Sequence, residues 1–339
     1  MSAPNETFPR NEVRPVRGGK FVCALNRFLP LGRKYHPLLR LLNGTQGLLA
    51  IPFGKYRVIK PAAWIKSITS ELVLGGDVAI EFEPVKALCQ QCADGHLIDV
   101  GANIGLYTLL FRTTSPLPII AYEPQPFLFK LLQWNIAGNE LSGVDARNLA
   151  CGNQRGEVAF STGLNGSIVA GNSAPASGSN HQAARSSGGW AAEAQKTLAG
   201  DIVNVPVTTL DEDLADIEKI AVLKIDCEGF EYQILQGARG LLKRHRPLLF
   251  VEVHPEQLVQ FGHSTRELLE LISPDYELEF WYFQIGRHAS KLACSLAKFR
   301  RPKAHRCADA AEMLAAAEST PGPAQVYFIG QPRKNSERP

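Results

Sequence analysis

Three groups of residues have the types and spacing to do chemistry on a bound ligand. The first is Asp99-x-Gly101-x-Asn103-x-Gly105, at the end of the apolar run Leu97-Ile98-Asp99-Val100. Such a run reads as a buried strand entering a tight loop and then a helix, where glycines let the backbone approach a ligand closely. The second is Glu123, twenty-four positions after Asp99, at the tip of the apolar run Ile119-Ile120-Ala121-Tyr122. One strand–helix–strand unit fits that spacing, and an acid at its second strand end is placed to accept ribose hydroxyls. The third group closes two later apolar runs: Asp226 and Glu228 after Ile220–Ile225, then Glu252 and His254 after Leu248–Val251.

The glycine loop is not a dinucleotide fingerprint, because Asn103 and Leu106 stand where that pattern needs glycine. The chain also lacks the Gly-x-x-x-x-Gly-Lys-Ser/Thr pattern of a phosphate loop. A ligand without pyrophosphate fits better.

The motifs extend further. DVGANIG (99–105), EP (123–124), VPVTTLDE (205–212), LKIDCEGFE (223–231) and VEVH (251–254) follow one another in this order. Together they resemble the FkbM family of S-adenosylmethionine-dependent methyltransferases over about residues 95–285. The resemblance implies a class I, Rossmann-like methyltransferase fold and S-adenosyl-L-methionine as cofactor. It implies that Asp99, Gly101, Asn103, Gly105, Glu123 and Asp226 bind that cofactor. It also implies O-methylation of a hydroxyl on a saccharide, glycolipid or related natural product.

Methyl transfer to a hydroxyl needs an oriented acceptor and a group to take its proton. His254, Asp226 and Glu228 are the catalytic candidates, with His254 the first choice of base because an imidazole ordinarily titrates near neutrality. Asp226, Glu228 and Glu252 are candidate ligands for a divalent metal such as Mg²⁺, which favours carboxylate oxygen. Two rival readings are a nucleic-acid or small-molecule N-methyltransferase and a non-catalytic cofactor-binding module. The first lacks the Asp/Asn-Pro-Pro-Tyr/Phe signature of exocyclic-amine methylation: the corresponding segment is Asp226-Cys227-Glu228-Gly229.

The elements that must position these groups alternate along the chain. Strands are expected near 97–100, 118–123, 144–149, 220–226, 247–253, 276–282 and 325–330. Helices are expected near 104–113, 125–138, 230–244 and 265–272. This pattern predicts an α/β fold: a doubly wound, mostly parallel seven-stranded sheet. Ligands in such sheets bind beyond the carboxyl ends of the strands, at the topological switch.

The expected organisation is a disordered tail over 1–20, a cap over 21–94, the methyltransferase domain over 95–332 and a tail over 333–339. Within the cap, a hairpin is expected around Gly54 and a helix over 83–91. Insertions are expected at about 162–200, rich in Ser, Gly and Ala, and at about 286–322.

Bulk properties exclude little. The chain has 339 residues, 45% of them hydrophobic, and a net charge of +3, too weak a field to argue for nucleic acid. Seven scattered cysteines, one pair of them Cys89-x-x-Cys92, fit reduced thiols better than a zinc site. With no apolar leader and no long apolar run, the expected compartment is the cytoplasm. Residues 21–42 interleave Phe21, Leu25, Phe28 and Leu29 with Arg27, Arg33, Lys34 and Arg40. Such a segment could touch an anionic membrane from the inner face. Packing against the core is the alternative. The acceptor's identity and the oligomeric state are not readable from these residues.

Overall fold

The computed structural model describes residues 8–28, 35–65, 68, 82–162, 168, 201–283, 304–319 and 325–334. In chain order the strands are β1 (Val13–Pro15), β2 (Leu48–Phe53), β3 (Tyr56–Pro61), β4 (His96–Val100), β5 (Ile119–Tyr122), β6 (Val144–Arg147) and β7 (Ala150–Cys151). They continue with β8 (Gly156–Ser161), β9 (Ile202–Thr208), β10 (Ile220–Ile225), β11 (Leu248–Val253), β12 (Tyr276–Phe283), β13 (Ala304–Cys307) and β14 (Gln325–Pro332).

The main sheet runs β13-β12-β14-β11-β10-β4-β5-β6. Its centre, from β11 to β6, is parallel, and β14 enters antiparallel beside β11. The α/β, doubly wound reading holds, but the sheet has eight strands rather than seven. The extra strand, β13, lies within 286–322, a stretch read from its residues only as an insertion. Cross-strand pairing on β12 orders it, followed by a helix over Ala310–Ser319. The other insertion, 162–200, lies outside the described residues except Thr162 and Ile168.

Chain order reverses between β4 and β10, so the switch point lies at their carboxyl ends. Both strands are buried throughout except His96, which explains their mostly apolar character; the charged exceptions, Asp99 and Lys224, pair with each other.

The cap is partly strand. Leu48–Phe53 and Tyr56–Pro61 form the expected hairpin around Gly54, and Val13–Pro15 adds to it in parallel. That strand corrects the reading of 1–20 as a disordered tail: Arg14 donates to the carbonyls of Asn43 and Gln46, which secures the segment. Helices span Gly19–Phe28 and His36–Asn43. Val22, Tyr35 and Leu39 are buried against β2, β3, Phe127 and Trp134. Phe21, Leu41 and Leu42 remain exposed. A helix over Phe82–Gln90 carries Cys89 and leads to Cys92, both free thiols.

The helix expected over 230–244 is two: Glu231–Gln236 and Arg239–His245. The break has a distant cause. The Gly237 carbonyl accepts from Asp211 N–H, and the Asp211 carboxylate accepts from Gly240 and Leu241 N–H. Asp211 thereby caps a new helix N-terminus from another part of the chain.

Candidate functional site

The loop after β4 is built for close approach. Gly101 has φ +75°, and a Cβ there would lie 2.0 Å from the Asp226 carbonyl oxygen. Glycine thus lets the ends of β4 and β10 meet. The N–H groups of Gly101 and Ala102 both reach the Tyr122 carbonyl, joining the loop to β5 as well. Asn103 adopts φ 52° and accepts from Ile104 N–H through its own side chain at 2.8 Å. Asparagine tolerates this left-handed conformation better than most residues.

Glu123 is 4% exposed. One of its oxygens accepts Asn103 N–H at 2.7 Å and the other Gln125 N–H at 2.8 Å. Gln125 in turn caps the helix Pro126–Gly138 by accepting from Phe127 and Leu128 N–H. Burial raises the Glu123 carboxyl, the two backbone donors pull it back, and it settles at about 7.

A cavity opens at the switch point. Gly101, Asn103, Glu123, Asp226, Glu228 and Glu252 line it on the polar side. Leu128, Leu149, Phe160, Phe230 and Ile234 supply apolar wall. Part of that wall comes from a second sheet, β7-β9-β8, which packs Phe160 with Val205 and Val207.

Two residues expected to bind cofactor, Asp99 and Gly105, do not line the cavity. Asp99 is fully buried. It accepts from the Thr108 hydroxyl at 2.7 Å and ion-pairs with Lys224 at 3.1 Å. Side chains alternate along a strand, which turns Asp99 inward. Gly105, with φ +92°, precedes the helix Leu106–Thr114, and a Cβ there would meet Leu132 at 2.7 Å. Its role is packing against the neighbouring helix.

Asp226 and Glu228 leave β10 in a tight loop. Asp226 N–H reaches the Val100 carbonyl, and Glu228 has φ 48°, a conformation costing a non-glycine residue roughly 1 kcal/mol or more. Burial raises the Glu228 carboxyl and the neighbouring His254 partly offsets this.

His254 follows β11. Its Nδ1 lies 2.7 Å from Glu231 Oε1, a fully buried carboxylate. Its Nε2 faces Asp226, Glu228 and Glu252 at 3.8, 3.6 and 3.8 Å. Burial disfavours the charged ring, but the Glu231 hydrogen bond and the charges of Glu231, Asp226 and Glu252 outweigh it, and the pKa rises to about 10. The carboxylates around it thus make the ring more basic than the ordinary imidazole on which its choice as base rested.

Sequence reasoning missed Lys224 and Glu231. Lys224 is 1% exposed and donates to the Val100 and Gly101 carbonyls, with Asp99 on one side and Asp226 3.9 Å away on the other. A lysine inside an otherwise apolar strand was the available signal, since buried lysines need partners. Glu231 sits on a helix, where an acid usually signifies only a favourable first turn. Asp213, the residue after VPVTTLDE, braces the site: it accepts from the Tyr122 hydroxyl at 2.6 Å and ion-pairs with Arg147 at 2.6 Å.

Comparison with known proteins gives the family. The methyltransferase FkbM domain matches residues 99–280, more than half of the chain. The chain belongs to that family, and its core is a class I methyltransferase domain of the kind that uses S-adenosylmethionine. Methyltransferase 1 of Beauveria bassiana (strain ARSEF 2860) is 28% identical over 155 residues, 42% of this chain and 58% of that protein. Methyltransferase sdnD of Sordaria araneosa is 30% identical over 158 residues, 42% of this chain and 59% of that protein. The match thus spans under two thirds of either relative. The crystal structure of methyltransferase FkbM from Methylobacillus flagellatus KT is similar at a TM-score of 0.38 and 16% identity, covering 78% of this chain and 54% of that one.

The cavity suits such a cofactor. Glu123 keeps lone pairs free for ribose hydroxyls, and the apolar wall can cover a base. The loop at Gly101 to Asn103 presents backbone rather than bulky side chains.

Proposed function

We propose that this protein is an S-adenosylmethionine-dependent O-methyltransferase acting on a hydroxyl of a saccharide, glycolipid or related natural product. The observation that carries the reading is the strained Glu228 carboxylate. It is held at φ 48° at the mouth of β10, in the same cavity as Glu123. Strain of this kind persists where the surroundings over-determine it, characteristically at functional sites.

The bound cofactor supplies an electrophilic methyl group on a sulfonium. The chain's own task is to present the acceptor oxygen in line and to receive its proton. Glu228 is the base in this reading, because its raised pKa makes it a stronger proton acceptor than an ordinary carboxylate. Glu252 and Asp226 orient acceptor hydroxyls. Lys224 fixes Asp226 from behind, and Glu231 fixes His254. A cavity with four carboxylates on its polar side disfavours a polyanion such as nucleic acid.

The acceptor explains the cap. Phe21 and Leu41 are 59% and 82% exposed, and the cations Lys20 and Arg40 are exposed beside them in sequence. Apolar side chains among cations suit peripheral contact with an anionic membrane, where a glycolipid would reside. No helix among the described residues is long and apolar enough to cross a membrane. Free thiols at Cys89, Cys151 and Cys307 support placement in the reducing cytoplasm.

The test is a turnover assay with methyl-labelled cofactor against a panel of saccharides, glycolipids and polyketide-type acceptors. Label on a hydroxyl acceptor is expected. Transfer only to amines, or none beside intact cofactor binding, would overturn the reading.

A further inference from the structure

His254 has one nitrogen tied down and the other left over. Its Nδ1 meets Glu231 Oε1 at 2.7 Å, and that same oxygen accepts Gly229 N–H at 3.0 Å. Glu231 is fully buried, and its second oxygen has no hydrogen-bond partner, so its charge is directed onto the ring. The ring is thereby fixed in orientation with Nε2 turned toward the cavity acids. At 3.6 to 3.8 Å, none of the three carboxylates is close enough to Nε2 for a hydrogen bond.

These distances have a simple meaning. Two ligand atoms about 2.1 Å from one cation lie roughly 3.0 Å apart at the 90° of an octahedral ion, so Asp226 and Glu252, each 3.8 Å from Nε2, need to move inward by under about 1 Å to share one. One ligand atom from each of Asp226, Glu252 and His254 lies within 4.8 Å of the other two. A carboxylate behind the far nitrogen of a metal-bound histidine is the usual support of such a ligand. Glu231 occupies that position. Lys224, 3.9 Å from the other oxygen of Asp226, keeps that carboxylate aimed.

We propose that Asp226, Glu252 and His254 form a divalent-cation site, oriented by Glu231, that holds the acceptor oxygen; the His254 Nε2 proton is released to solvent as the ion binds. Two carboxylates and one imidazole suit Mn²⁺ or Mg²⁺ better than a thiol-seeking metal. Three protein ligands leave open positions on an octahedral ion for water and an acceptor hydroxyl. A hydroxyl bound there becomes more acidic, and its proton passes to Glu228, which is not among the three ligands. The proposal rests on the O-methyl transfer reading for the acceptor, though not for the cation.

The experiment measures Mn²⁺ binding to the full chain by calorimetry and by the loss of the free-ion paramagnetic resonance signal. One ion per chain is expected, displaced by excess Mg²⁺. His254→Ala and Glu252→Gln should each weaken binding by at least ~100-fold. Glu231→Gln, which keeps shape but removes charge, should weaken it ~10- to 100-fold. Circular dichroism must show each variant folded; if one is not, Asp226→Asn replaces it. No saturable binding by wild type at millimolar Mn²⁺, or binding unchanged in the variants, would overturn the site. Labelled-methyl transfer is then run with and without chelator. Transfer that survives chelation overturns the site and leaves the methyltransferase reading standing. Bound Mn²⁺ with no transfer to any acceptor does the reverse.

Discussion

The Glu123 carboxylate accepts the backbone N–H of Asn103 at 2.7 Å, so the tip of β5 and the loop after β4 are one unit. Through its other oxygen Glu123 also bonds Gln125 N–H, and Gln125 caps the next helix. The acid therefore sets the loop, the helix and this end of the cavity together.

Glu123→Ala should weaken S-adenosylhomocysteine binding by about 1.5–3 kcal/mol, the scale of a hydrogen bond to a charged group, from an expected micromolar affinity of about −8 kcal/mol. Because the free carboxyl titrates at about 7 and hydroxyl donors favour its ionised form, affinity should rise with pH through neutrality. Below that point it should fall by about tenfold per pH unit. Calorimetry from pH 5.5 to 8 checks both. In Glu123→Gln binding should be weak and flat across the range. A flat profile in the wild-type protein would remove the ribose role.

Lys224 and Asp99 are a buried pair, 1% and 0% exposed at their side chains. Lys224→Met should destabilise the domain by about 3–5 kcal/mol, because it leaves Asp99 charged and unpaired in the interior. Adding Asp99→Asn should recover part of that loss. Urea denaturation measures both. A single-variant loss under about 1 kcal/mol would mean that the pair does not hold the β4–β10 junction.

Glu228→Gln should lower kcat by ~10²-fold or more while leaving cofactor affinity nearly intact, as loss of a general base does. Glu228→Gly should also be inactive yet at least as stable as wild type, because glycine relieves the left-handed strain at φ 48°. Activity within about threefold of wild type in Glu228→Gln would move the base elsewhere.

Much of the frame was legible in the residues. Apolar runs carrying Asp99, Glu123, Asp226 and Glu252 at or near their ends marked the four central strands, and Glu123, Asp226 and Glu252 marked the rim. What escaped depends on contacts far apart in sequence. Local periodicity ran one helix across Gly237, and only the distant Asp211 carboxylate splits it. Motif membership placed Asp99 and Gly105 at the cofactor, whereas alternation along β4 and contact with Leu132 turn them to structural use. An ordinary imidazole pKa made His254 the first choice of base, and the carboxylates that gather around it from other elements, invisible in the sequence, raise that pKa.

Binding of the full chain to anionic liposomes is expected at low salt, fading as salt rises, since each cation near such a surface contributes about 1 kcal/mol. Phe21→Ser with Leu41→Ser should reduce it without destabilising the protein, because both side chains face solvent. Absence of co-sedimentation at low salt would make the cap a packing element only, with a freely diffusing acceptor.

The central claim is tested most directly by the fate of a ¹³C-methyl group carried on the cofactor. After reaction with an accepted saccharide or glycolipid, the product is examined by NMR, which separates methyl ether from methylamine carbons. The account predicts one new O-methyl resonance per acceptor, absent in Glu228→Gln. Label on nitrogen, or an undiminished O-methyl signal from Glu228→Gln, would contradict it.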